Sequence, residues 1–168
     1  RIFGELMLLI ESDKRGEEYA IPLTYSEPEN CFSVPDNVYI LGMMNTADRS
    51  LAMVDYALRR RFDFVALNPA FGSERFQQYL HNAEVPEEVV KLIDERMLAL
   101  NEEIENDSRN LGPGFRIGHS YFVPDGDQEE PGLEWYRSVV RTQILPLLQE
   151  YWFDQPAKAA RFAENLLT

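Results

Sequence analysis

Cysteine is almost missing from this 168-residue sequence: Cys31 stands alone, so no internal disulfide can form and no thiolate cage for zinc can be built. Histidine is scarce as well, and His81 and His119 lack ligand spacing, so no metal site is readable. Nowhere does an apolar run approach the ~18 residues that a membrane span requires. The first residues show no basic-then-apolar leader pattern, and a cytoplasmic location is the default expectation. Basic residues are outnumbered, 16 Lys and Arg against 29 Asp and Glu, and the formal charge of −13 has the wrong sign for gripping a phosphate backbone through counterion release. Direct DNA binding by this chain is therefore argued against. Also absent from these residues are a Gly-x-x-x-x-Gly-Lys-Ser/Thr loop and a hydrophobic strand ending in Asp-Glu.

What is present supports one core, or a small α/β unit with a helical appendage, since 45% of the residues are hydrophobic. Ile2, Phe3, Leu6, Leu9 and Ile10 recur at helical spacing from the first residues, which suggests a chain that begins inside a larger protein. Residues 18–26 and 31–34, separated by a Pro/Glu/Asn turn, read as a hairpin. Val38-Tyr-Ile-Leu-Gly-Met-Met44 is a continuous apolar run of the kind found in a central parallel strand covered on both faces. A short helix through Leu51, Val54, Tyr56 and Leu58 and a strand over residues 62–67 complete the expectation of an α/β fragment over residues 1–68. Residues 69–168 read as an all-α part. Its first helix covers 74–80, and its second opens with Pro86 in the first turn and carries the stripe Val89, Ile93, Met97, Leu100 and Ile104. After a glycine-containing interruption over 111–121, helices return at 133–152, where Pro146 should kink or divide the run, and at 157–167.

Three features carry candidate chemistry. Met44-Asn-Thr-Ala-Asp-Arg-Ser50 lies at the C-terminal end of the expected central strand, where open α/β sheets bind ligands. Asn45 can orient a water or a phosphate oxygen there without taking its proton, and Asp48 can fix an arginine; alternatively the cluster is a turn with Asp48 or Ser50 capping the next helix. Arg59, Arg60 and Arg61 end a short helix, where cations complement the helix dipole. Three exceed what capping needs, and one or two could reach a phosphate across a subunit boundary. The third feature is acidic: between residues 84 and 107 nine acids face two bases, either a solvated helix face or a docking surface. Gly112-Pro-Gly-Phe-Arg-Ile-Gly118 mimics a phosphate loop only loosely, with no strand leading into it and His119 in place of a lysine, and reads as a structural turn.

The segment Pro35-Asp-Asn-Val-Tyr-Ile-Leu-Gly-Met-Met-Asn-Thr-Ala-Asp-Arg-Ser-Leu-Ala-Met-Val-Asp-Tyr-Ala-Leu-Arg-Arg-Arg-Phe62 resembles the sensor-1 strand and following helix of the McrB family of AAA+ GTP-hydrolysing motors, which serve modified-cytosine-dependent restriction. Phe3-Gly-Glu-Leu-Met-Leu-Leu-Ile-Glu11 with Asp13-Lys-Arg-Gly16 is similar to the stretch after the family's Walker B motif, and Ile117-Gly-His-Ser-Tyr-Phe122 to its lid. The likeness touches nearly the whole chain, strongest over residues 34–62 and loosest after Asp125.

This resemblance implies a partial AAA+ P-loop NTPase core sheet followed by an all-α lid subdomain. It implies that Asn45 is the sensor-1 residue holding the attacking water, that Asp48 completes an Asn-Thr-Ala-Asp motif tied to guanine nucleotides, and that Arg49 neighbours it at a subunit interface. Arg60 and Arg61 become candidate trans-acting arginine fingers, Arg61 favoured, and Arg116 and His119 candidate nucleotide-facing sensor-2 residues. The implied setting is GTP, or ATP, with Mg²⁺ in a longer protein, a homo-oligomeric ring that is commonly a hexamer, an endonuclease subunit of McrC type, and DNA read by a separate domain. These 168 residues by themselves are expected to be inactive. Two other readings stand beside it: an ATP-using relative of MoxR or dynein type, and a stand-alone α-helical interaction module.

Overall fold

A computed structural model of the chain describes every residue except 1–4, 25–26, 28–29, 46, 48–58 and 125–130. It divides into two units, Arg1–Ala66 and Leu67–Thr168.

In the first unit a 3-10 turn at Glu5–Met7 leads to Leu9 and Ile10, which are buried. The Arg15 guanidinium ties this turn region together by donating to the carbonyls of Ile10 (3.0 Å), Glu11 (3.3 Å) and Val38 (3.2 Å). The expected hairpin is present as two-residue strands, β1 (Ile21–Pro22) and β2 (Cys31–Phe32), antiparallel with Ile21 opposite Phe32 and Pro22 opposite Cys31.

The two longer strands expected from the sequence differ from the structure. Residues 38–44 and 62–67 form no ladder, and among the described residues β1 and β2 make the one sheet. Residues 38–44 nevertheless keep a strand-like two-residue alternation: Tyr39, Leu41 and Met43 are 93%, 94% and 97% exposed, whereas Val38, Ile40 and Met44 are 42%, 39% and 45% exposed. The physical reason is that a strand exists only through a neighbour that pairs with its edge, and an apolar run cannot supply that neighbour itself. The helix expected through residues 51–58 lies outside the described residues.

Among its described residues the second unit is built of helices joined by turns. Its entry turn favours glycine: Gly72 has φ +75°, a conformation that strains other residues, and a Cβ there would press on Leu98 Cδ1 at 3.2 Å. Ser73 then caps α1 (Glu74–Asn82), its Oγ accepting from the Phe76 amide at 3.3 Å. The connection to α2 (Glu87–Asn106) closes with Val85 N–H donating to the Leu80 carbonyl at 3.0 Å. Pro86 is the N-cap of α2, one position earlier than a first-turn proline, and its carbonyl accepts from Val89 and Val90. The stripe Val89, Ile93, Met97, Leu100 and Ile104 is buried along its whole length, each residue 2% exposed or less. Burying such side chains contributes about 1.5–3 kcal/mol each.

After α2 the chain turns at Gly112 (φ +111°), whose N–H donates to the Ile104 carbonyl, and passes through 3-10 turns at Pro113–Phe115 and His119–Phe122. Asn101, buried on α2, pairs with both backbone groups of Ile117, donating to its carbonyl (3.0 Å) and accepting from its N–H (2.6 Å). The phosphate-loop mimic is thus a structural turn fastened to a helix.

α3 (Leu133–Val139) and α4 (Leu145–Tyr151) form one run divided as Pro146 requires. Proline lacks the N–H that would reach the carbonyl four residues back and its ring crowds that carbonyl. The helix accommodates this by widening into a π-helical stretch, Val140–Ile144, in which Leu145 N–H reaches back five residues to Val140. α5 (Pro156–Leu167) closes the unit, held by Tyr136 Oη donating to the Leu166 carbonyl at 3.0 Å. Asp107 at the end of α2 accepts from Trp152 Nε1 (2.9 Å) and Lys158 Nζ (3.2 Å). The Trp152 indole N–H, with Lys158 beside it, holds that carboxyl below its usual range. Two of the nine acids in the run from 84 to 107, Asp94 and Asp107, are therefore structural and not part of a solvated face.

Candidate functional site

The candidate residues fall on both units. In the first, Asn45 is exposed at the end of the extended segment 38–44, with its Oδ1 accepting from the Ala47 amide at 3.0 Å. That bond makes a local Asx-type turn and leaves the side-chain amide nitrogen available to a ligand. Asp48 and Arg49 lie outside the described residues. Arg59 is helical and exposed, Arg60 follows it and is exposed, and Arg61 turns inward, its side chain 10% exposed and paired with Glu11 at 2.5 Å. Of the two finger candidates, then, Arg61 is committed to an internal ion pair and Arg60 faces outward.

In the second unit, Arg116 and His119 are both engaged. Arg116 donates from Nη2 to Asn68 Oδ1 (2.7 Å) and from Nε to the Pro113 carbonyl (3.1 Å), while Nη1 lies 3.5 Å from Glu105. His119 Nδ1 accepts from the Ala70 N–H at 3.1 Å, which puts the proton of the neutral ring on Nε2. The ring meets Phe71 and Phe76 edge-on, with centroids 6.4 and 5.2 Å apart. Among the described residues no cluster of three or more His, Cys, Asp or Glu has metal-holding geometry. Among them, too, no helix is long and apolar enough to cross a membrane.

Reasoning from the sequence passed over Asp94 and Asn101, buried at 7% and 6% exposure. Asp94 accepts from the Gly72 N–H (2.8 Å) and from Gln77 Nε2 (2.7 Å). The signal was available: both sit beside the apolar stripe of α2, one position after Ile93 and Leu100, where a polar side chain must find partners.

Comparison with known proteins bears directly on this helical unit. Residues 92–160 match the family described as McrB, alpha-helical lid domain. Over 171 aligned residues, covering 99% of the chain, the sequence is 50% identical to the type IV methyl-directed restriction enzyme EcoKMcrB subunit of Escherichia coli (strain K12). The chain spans 37% of that protein's length. Most of α2, the loop fastened by Asn101, α3 and α4 lie within the matched segment, and with half of all aligned residues identical, the chain is of McrB type, residues 92–160 matching its α-helical lid domain.

Proposed function

We propose that this chain supplies the sensor-1 and arginine-finger region and the lid of a McrB-like, GTP-hydrolysing AAA+ motor in a methylation-dependent DNA restriction system. The observation that carries the reading is the 50% identity, sustained over 99% of the chain, to a methyl-directed restriction subunit. The first unit is then part of an AAA+ core sheet, and the exposed alternation over residues 38–44 is what a strand awaiting its neighbours presents.

Asn45 orients the attacking water, and Asp48 and Arg49 complete the Asn-Thr-Ala-Asp-Arg sequence beside it. Arg60 and Arg61 are the candidate fingers toward a neighbouring subunit of a ring, Arg61 favoured by the resemblance, with Arg60 exposed and Arg61 paired with Glu11 in this chain. The residues here do not make up a whole Mg²⁺–nucleotide site: the sequence carries no phosphate-cradling glycine-lysine loop, so turnover requires a longer polypeptide. An endonuclease subunit of McrC type and a separate DNA-reading domain complete the proposed assembly, and the charge of −13 agrees with DNA being held elsewhere.

The test is turnover of GTP and ATP, side by side, by a McrB-type protein containing this chain, with and without Asn45→Ala and Arg61→Ala. Selective GTP hydrolysis lost in both variants, with circular dichroism unchanged, is expected. Preference for ATP would move the protein toward MoxR-type relatives. Undiminished turnover in both variants would remove the site assignment.

A further inference from the structure

The segment by which the chain enters its helical unit is gripped at every second residue. Asn68 Oδ1 accepts from Arg116 at 2.7 Å, Ala70 N–H donates to His119 at 3.1 Å, and Gly72 N–H donates to Asp94 at 2.8 Å. Each gripping residue is itself fixed. Arg116 is braced by Glu105 of α2 and by the Pro113 carbonyl, and the loop that carries Arg116 and His119 is fastened to α2 through both backbone groups of Ile117. Asp94 sits in the middle of α2, 7% exposed, and its second oxygen takes the amide of Gln77 on α1. Gly72, in a left-handed conformation that favours glycine, turns the backbone so that its N–H meets Asp94 on α2. Immediately upstream the situation reverses: Val65 and Leu67 are 83% and 93% exposed, and residues 62–67 join no ladder.

We infer that Arg116, His119 and Asp94 form a three-point clasp that makes residues 68–72 a rigid part of the lid. Any swing of the lid then turns on backbone upstream of Asn68, and Arg116 and His119 are positioning residues for that pivot, not ligands of a nucleotide phosphate. The chemistry suits the task. A charged donor, a ring acceptor and a buried carboxylate each take a different group of the entering chain, so losing one leaves the other two in place. The inference does not rest on nucleotide hydrolysis and stands or falls separately from it.

Residue-resolved hydrogen exchange on the full chain tests it, comparing wild type with His119→Phe, which keeps the ring against Phe71 and Phe76 but offers no acceptor, and His119→Gln, which offers one again. The Ala70 amide should exchange about five- to tenfold faster in His119→Phe, the worth of one hydrogen bond, while Ile93 and Leu148 are unchanged. His119→Gln should restore most of the protection. Open-chain exchange at Ala70 and Gly72 in the wild type would overturn the clasp, as would equal acceleration of Ala70, Ile93 and Leu148 in His119→Phe. It would be overturned equally if His119→Phe weakened GTP binding by a longer McrB-type protein tenfold or more while Ala70 stayed protected, since the ring would then be a ligand.

Discussion

The two units of this chain treat their apolar residues in opposite ways. Among the described residues, 22 apolar side chains are buried; Leu9 and Ile10 are the two in the first unit, and the other twenty form one cluster in the second. The first unit instead shows Tyr39, Leu41, Met43, Phe64 and Val65 to solvent. Composition does not explain the contrast, since both units are rich in aliphatic and aromatic residues. Connectivity does: a helix satisfies its own backbone and needs one covered face, which the next helix along the chain can provide, whereas a strand needs edge partners that its own sequence does not contain. A helical unit is therefore complete at a length where a sheet is not.

That contrast can be broken most severely at Trp152. Its ring is fully buried, stacked on Phe162 with centroids 5.2 Å apart, covered by Lys158 Nζ at 4.6 Å and hydrogen-bonded to Asp107. Trp152→Ala should cost about 3–5 kcal/mol, by the removed surface and the cavity left behind. Urea unfolding followed by helical circular dichroism would measure it, and a loss under 1 kcal/mol would mean the cluster is not the source of the unit's stability.

A smaller loss, about 2–3 kcal/mol, is expected for Asn101→Ala, which leaves both backbone groups of Ile117 buried without partners. The same denaturation experiment reads it. Protease cutting should rise selectively in the 111–121 loop.

Smaller again is the alkaline effect at Tyr136. Burial pushes its phenol up to about 12, against an opposing pull from the nearby Arg96 charge. The folded state therefore holds this proton more tightly than the unfolded state does. The resulting stability is fully present below about pH 10, the ordinary tyrosine value, and drains away between there and about pH 12. Tyr136→Phe should lose about 1 kcal/mol at neutral pH with the bond to Leu166 and should flatten the alkaline part of the stability profile. An unchanged slope above pH 10 would assign the alkaline loss to other groups.

The smallest effect belongs to the first unit. Leu41→Lys, at 94% exposure, should alter the stability of the chain by less than about 0.5 kcal/mol. Made in a longer McrB-type protein it should cost several times more, if residues 38–44 there gain the neighbours proposed above. Equal small effects in both would argue that this segment stays uncovered.

The sequence announced the second unit well and the first one poorly, for the same reason that separates them physically. Helices 74–82 and 87–106 are written locally, in the three-and-four spacing from Val89 to Ile104, and Pro146 marked the division between α3 and α4. The run over residues 38–44 is equally apolar, yet whether it becomes a ladder depends on residues far from it, and its alternation is all that could be read locally. Asp94 and Asp107 were hidden within an acidic run because charge counting cannot tell a solvated carboxylate from one with buried partners. Asn45 was legible as a polar end to an apolar run, while the inward turn of Arg61 depended on Glu11, fifty positions away.

Both tryptophans of the chain, Trp135 and Trp152, lie in the second unit, one edge-on to Phe122 at 6.4 Å and the other stacked on Phe162. Intrinsic tryptophan emission is consequently a reporter of the lid alone. Excited selectively, it watches α3, α4 and α5 come apart while the region from β1 to Arg61 stays dark, so unfolding of the helical unit can be followed by itself without attaching a label.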